Sequence, residues 1–215
     1  MHELLDKYKY IFFDFDGTVN NTMPGISATF KKVLDHFGVD YGNVDFRRHI
    51  GPPLEFSYEE LVGKQHMDEA IAMHCKVFDE TDAVTNSRLY DGIVDVLAAL
   101  KSHGYVLSIA SSKYEPHALR SVQILGIAQY FDYVYAQNER RGYKAEVLRQ
   151  LVDDHGWARK DCLMIGDTAH DMNGARDNGI DFMAVTYGFG NKEELLASHP
   201  VAVADTPADI AEILL

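Results

Sequence analysis

Two aspartates, Asp14 and Asp16, stand directly behind the apolar run "YIFF" and just ahead of Gly17, in the stretch "YIFFDFDGTV". Aromatic and β-branched residues in such a run predict a buried strand, where aspartate is disfavoured, so the pair marks the carboxyl end of that strand. In an open parallel α/β sheet that end is where ligands bind. Alternation along an extended chain puts Asp14 and Asp16 on one side, and Gly17 allows the backbone to turn away immediately afterwards. A polar strand-to-loop transition with an Asx turn at Asp16 gives the same local pattern, so this stretch alone leaves both readings open. Three further segments end in complementary residue types: "IASSK" with Ser111, Ser112 and Lys113, "RRGYKAE" with Lys144, and "MIGDTAHD" with Asp167 and Asp171. Carboxylates gathered on one sheet edge repel one another unless a cation or a proton intervenes, and oxygen-only ligands point to Mg²⁺. A phosphate group would complete such a site, its oxygens bound by the metal, Lys144, the Ser111 hydroxyl and nearby backbone N–H groups.

The elements that must position these residues are legible as an alternation. From residue 91 onward an amphipathic stretch is followed by a short apolar run, repeatedly: Ile93, Val96, Leu97 and Leu100 at helical spacing, then "VLSIA"; "EPHALRSVQILG", then "FDYVYAQ"; "KAEVLRQLVDDHG", then "DCLMIGD"; "DMNGARDNG", then "IDFMAVTYG". The terminal "VAVADTPADIAEILL" adds a last strand and a helix capped at Asp205 or Thr206, with Pro207 at its first position. The pattern predicts an α/β fold, a Rossmann-like parallel sheet with helices on both faces. Between residues 20 and 86 the strand signal disappears. Ile26, Phe30, Val33, Leu34 and Phe37 mark one helix stopping at Gly38, and "PLEFSYEELVG" and "MDEAIAMHCKVFDET" mark two more. The expectation is a core domain of residues 1–19 and 87–215 with a small all-helical domain, 20–86, inserted after the first strand. Its connections, "VNNT" and "TNSRLYDG", could act as hinges.

A chain of 215 residues with 47% hydrophobic content can bury a sizeable core. Its formal net charge of -13 and lack of basic runs argue against binding a nucleic-acid polymer. Cys75 and Cys162 read as reduced packing residues, which fits a cytoplasmic protein. "MHELLDKYKY" has no apolar region of signal-peptide length, and no segment approaches the roughly 20 apolar residues of a membrane span.

The four segments, in this order, resemble the haloacid dehalogenase superfamily of phosphotransferases over essentially the whole chain. "DFDGTV" is similar to its first motif, the run ending at Ser111 to its second, Lys144 to its third and "GDTAHD" to its fourth. The helical insertion is then similar to the family's cap domain, and "IGPPLEFSYEEL" to the cap segment of phosphoglycolate phosphatase-like members. The resemblance implies that Asp14 is the nucleophile, forming an aspartyl-phosphate, and that Asp16 protonates the leaving group and then activates water. It implies Mg²⁺ bound by the Asp14 carboxylate, the Asp16 carbonyl and Asp167, with Asp171 as a direct or water-bridged ligand. Phosphate would be held by Gly17, Ser111, Ser112 and Lys144. Asp16 narrows the class, since dehalogenases and phosphonate hydrolases of the family lack an Asp there and its ion pumps usually carry Thr. The expected activity is Mg²⁺-dependent hydrolysis of a small phosphorylated metabolite: phosphoglycolate, a nucleotide or a sugar phosphate. The alternatives are a phosphomutase of the β-phosphoglucomutase type and a non-catalytic phosphate-binding protein. Two departures stand out: Ser112 where many relatives have Asn, and Ala145 after Lys144 in place of the frequent Pro.

The remaining features read blandly. The ten histidines are scattered with no metal-ligand spacing and are expected to be surface or packing residues. Arg47 and Arg48 read as a solvated charge pair, and Phe56 and Tyr58 as either pocket lining or local core.

Overall fold

The run ahead of Asp14 forms strand β1 (Tyr10–Phe13), whose side chains alternate between two cores: Ile11 and Phe13 face one, Phe12 the other. This computed structural model describes residues 7–80, 84 and 86–215. After β1 the chain turns through Gly17 into a two-residue strand, β2 (Asn20–Asn21), which pairs antiparallel with β3 (Arg88–Leu89). Between these strands lie three helices, α1 (Met23–His36), α2 (Leu54–Val62) and α3 (Met67–Glu80), with a 3₁₀ turn at Phe46–His49. Helix α1 forms where Ile26, Phe30, Val33 and Leu34 recur on one face, and it ends ahead of Gly38, whose φ of 64° suits only glycine without strain. The three helices share an apolar cluster built on Phe30, Leu34 and Tyr58, which also takes in Phe189 from the far end of the chain.

The rest alternates as the periodicity predicts. Helix α4 (Ile93–Ser102) leads into β4 (Val106–Tyr114), α5 (Glu115–Ile124) into β5 (Tyr133–Gln137), α6 (Lys144–His155) into β6 (Cys162–Gly166), and α7 (Ala169–Asp177) into β7 (Asp181–Val185). Helix α8 (Lys192–Ala197), strand β8 (Ala202–Ala204) and helix α9 (Pro207–Leu214) complete the chain. Six strands form one parallel sheet in the order β5-β4-β1-β6-β7-β8, with Phe13 opposite both Ile109 and Ile165. Helices α4, α5 and α9 cover one face through Leu97, Val122 and Ile210, and α6, α7 and α8 the other through Leu148, Ala175 and Leu195. With β1 central and parallel to its neighbours, the carboxyl ends of β1, β4 and β6 open on the same edge.

The departures from expectation have local causes. The strand read as "VLSIA" runs on to Tyr114 through a register shift against β5 between Ser111 and Tyr114, because the polar residues there still extend beside the sheet. Pairs as short as β2 and β3 have no periodicity to detect, and β2 lies in the segment read as helical only. Helix α8 is six residues long, too short for an amphipathic signal. Thr206, of the two residues expected to cap the last helix, is the N-cap. Tyr58 is fully buried among the inserted helices while Phe56 is 55% exposed. Both cysteines are free thiols, and among the described residues no helix is long and apolar enough to cross a membrane. Residues 1–6 of the amino-terminal stretch, Thr81 at the predicted end of the third helix and Thr85 of the second connection lie outside the described residues.

Two stability measurements test this packing. Phe30 is fully buried, so Phe30→Ala is expected to lower urea-unfolding stability by about 3–5 kcal/mol, whereas Phe56→Ala stays within about 0.5 kcal/mol. His74 of α3 shares a 2.8 Å hydrogen bond with the Tyr58 hydroxyl, and burial, reinforced by Lys113, lowers its pKa from 6.5 to about 3. The folded state thus resists a proton that the unfolded chain takes up near pH 6.5, and stability present above that pH drains away as pH falls toward about 3. His74→Gln is expected to flatten the dependence of Tm on pH across that window.

Candidate active site

Asp14 follows β1 immediately, its N–H donating to the Ile165 carbonyl at 2.9 Å, so the sheet ladder fixes the residue before its side chain is considered. Its carboxylate is buried, with Oδ1 accepting from the Lys144 ammonium at 2.6 Å. Lys144 opens α6, where a cation opposes the helix dipole, and its own partners compensate for that position. Besides Asp14 it donates to the Ala110 carbonyl at 2.6 Å and lies 2.8 Å from Asp171 Oδ1. Asp171 is held from the other side, its Oδ2 accepting from the Thr168 N–H at 3.0 Å and the Thr168 hydroxyl at 2.8 Å at the start of α7. Asp171 thus caps the first turn of α7 through Oδ2, while Oδ1 faces Lys144. Asp167, fully buried, accepts from the Thr18 hydroxyl at 3.1 Å and the Phe189 N–H at 2.7 Å.

These positions rest on missing side chains as much as on present ones. A Cβ on Gly174 would lie 2.8 Å from Lys144 Cγ, so glycine is what lets α7 approach the lysine. Cβ atoms on Gly17, Gly188 or Gly190 would collide with Asp167, the last with its backbone carbonyl. Gly17, expected to bind phosphate, has its N–H committed to the Asn20 carbonyl at 2.9 Å, and its φ of 96° serves the turn. The physical reason is the tight reversal after Asp16, which uses the N–H internally and gives Gly17 the task of admitting Asp167.

Asp16 lies beside Asp14 under a cavity of about 50 Å³, enough for a few water molecules. Both its oxygens contact the Lys113 ammonium, at 3.1 and 3.2 Å. Lys113 had no assigned role in the sequence reading; the signal was its place two residues after Ser111, on the strand-end bulge that aims it back at β1. Its ammonium also lies 5.1 Å from the Phe78 ring centroid. Ser111 and Ser112 line the same cavity, and Ser111 Oγ accepts from the Lys113 N–H at 3.2 Å, leaving its own proton free to donate. Across from them the inserted helices contribute His49 and His74, and α5 contributes His117. Burial lowers all three pKa values, that of His117 to about 4 despite Asp79, so the rings are uncharged near neutrality. Three histidines expected to be bland thus line the cavity, a fact that scattered spacing could not reveal. Arg47 and Arg48 are exposed and paired with Asp45 and Glu60, as read.

The electrostatics call for a cation. Burial pushes Asp14 and Asp167 well above the ordinary carboxylate range, reinforced in both by Asp171. Burial alone would lower the Lys144 pKa, but the flanking Asp14 and Asp171 carboxylates raise it instead. Asp14, Asp167 and Asp171 each offer an oxygen within 4.8 Å of the others, and the Lys144 ammonium is the partner of Asp171 Oδ1 at 2.8 Å. Four carboxylates face two ammonium groups here, so a divalent cation on these three oxygens fits both the donor set and the charge deficit.

The chain matches the family model described as haloacid dehalogenase-like hydrolase over residues 11–185, and it belongs to that family. It is 32% identical to a 5'-nucleotidase from Pseudomonas aeruginosa, an alignment covering 100% of this chain and 99% of the relative. It is 29% identical to a phosphoglycolate phosphatase from Synechococcus elongatus, over 94% of this chain and 95% of that one. A haloacid dehalogenase-like hydrolase from Streptococcus pneumoniae superposes with a TM-score of 0.91 at 31% identity, covering 97% of this chain and 99% of that chain.

Because Gly190 abuts the backbone of Asp167, Gly190→Ala is expected to cost about 1–3 kcal/mol in thermal denaturation and to weaken divalent-cation binding measured by calorimetry.

Proposed function

We propose that this protein is a phosphatase that releases inorganic phosphate from a small phosphomonoester, through an aspartyl-phosphate on Asp14. The observation that supports it most is the pairing at the end of β1: two buried carboxylates two residues apart, each held by a different lysine. Lys144 keeps Asp14 oriented, so one carboxylate oxygen can attack phosphorus while the phosphate–alkoxide bond breaks. Asp16 gives its proton to the departing oxygen, and then takes one from the water that hydrolyses the acyl phosphate. Lys113 holds Asp16 in reach of that oxygen. The Ser111 hydroxyl and neighbouring backbone N–H groups carry the phosphate oxygens. We assign Mg²⁺ to the Asp14, Asp167 and Asp171 carboxylates with the Asp16 carbonyl; when bound it neutralises the carboxylate cluster and offsets its repulsion of the phosphate dianion.

In this reading residues 20–86 are a cap domain and the short β2–β3 pair its hinge. A cavity of about 50 Å³ suits a closed state from which bulk water is excluded, and substrates enter as the inserted helices move off the sheet edge.

Phosphate release from a panel of small esters tests the proposal. Wild type is expected to turn over with Mg²⁺ and to stop with chelator, Asp14→Asn to be inactive, and Asp16→Asn to bind substrate but lose about 10²–10⁴-fold in kcat. An isomerised sugar phosphate without net phosphate release would identify the phosphomutase instead.

A further inference from the structure

The wall facing Asp16 is notable for what it lacks. Ile26, Phe30, Ile50 and Leu54 make much of it apolar. Among the described residues that line the cavity, Lys113 is the one Lys or Arg, and its ammonium is committed to both Asp16 oxygens at 3.1 and 3.2 Å. The side chains of Arg47 and Arg48, next to His49 in the chain, are 69% exposed and paired with Asp45 and Glu60. A carboxylate or second phosphate on the leaving group would lose its hydration against this wall and find no free cation. One polar group there is itself unpaired. His49 is 4% exposed and lines the cavity, and its buried Nδ1 has no hydrogen-bond partner, a state that a hydroxyl reaching it from the cavity would relieve.

We propose that the leaving group is uncharged and bears a hydroxyl that pairs with His49, the chemistry of a polyol, sugar or nucleoside rather than of glycolate or phosphate. His49 is then a specificity-determining residue supplied by the inserted segment. The inference rests on the phosphatase reading above and divides the activities found among relatives: it favours the 5'-nucleotidase type of substrate over phosphoglycolate.

The test is kcat/KM with Mg²⁺ for glycerol 2-phosphate, a nucleoside 5'-monophosphate, phosphoglycolate and pyrophosphate, with p-nitrophenyl phosphate, which carries no free hydroxyl, as reference. At least one of the two hydroxyl-bearing esters is expected to exceed both anionic substrates by about tenfold or more. His49→Phe is expected to lower kcat/KM for that ester about tenfold, chiefly through KM, while p-nitrophenyl phosphate stays within about twofold. His49→Gln, which keeps a hydrogen-bonding side chain, recovers most of the loss. Phosphoglycolate or pyrophosphate equal to or better than the hydroxyl-bearing esters in the wild type overturns the inference without recourse to any variant. Equal losses on p-nitrophenyl phosphate in His49→Phe overturn it as well, since His49 would then be structural. Absence of turnover on all five substrates rejects the phosphatase reading and this inference with it, a result distinct from a preference for anionic esters.

Discussion

The Lys144 ammonium sits 2.6 Å from Asp14, 2.6 Å from the Ala110 carbonyl and 2.8 Å from Asp171, at 4% exposure, so groups from β1, β4 and α7 converge on one charge carried by α6. Removing an ammonium from water is costly, and attraction to the carboxylates offsets that cost only when the geometry is good. Such a bridge contributes little net stability, but breaking it would strand buried charges, so the four elements must keep their mutual placement. Gly174 follows from this, because any side chain there would push α7 off the lysine.

The same arrangement is electrostatically incomplete. Asp14 and Asp167 are raised out of the ordinary carboxylate range by burial, reinforced in both by Asp171, and the cluster's four carboxylates face only two ammonium groups. A fold selected for stability alone would replace such a cluster with apolar residues or complete its pairing. Here the unbalanced charge would favour a cation at the buried site, in a chain whose overall charge is -13.

The inserted helices answer a different constraint. Their shared core is built on Phe30 and Tyr58 and includes Phe189 from the loop whose N–H holds Asp167. One residue stretch therefore touches both the buried carboxylate and the insertion, while the only sheet pairing across the insertion's ends, among the described residues, is the two-residue β2–β3 contact. The short pairing adds little hold of its own, and packing against Phe189 seats the helices over the cavity.

The carboxylates, Ser111 and Lys144 were legible in the sequence because strand ends are marked by an abrupt change from apolar to polar, and a parallel sheet brings its strand ends to one edge whatever the intervening chain. The alternation of helix and strand was legible for the same reason, since hydrophobic period is a local property. What only the tertiary structure decided involves residues whose meaning depends on a neighbour distant in the chain. Gly17 spends its N–H on a turn and its empty Cβ position on Asp167. Gly188 and Gly190 matter only because Asp167 passes against them, Lys113 because a bulge returns it to Asp16, and His49, His74 and His117 because the insertion folds back over the sheet edge. Sequence periodicity records which face of an element is apolar. It does not record which polar side chains meet across the gap between elements, and that meeting sets the charge, volume and hydrogen-bonding character of the cavity.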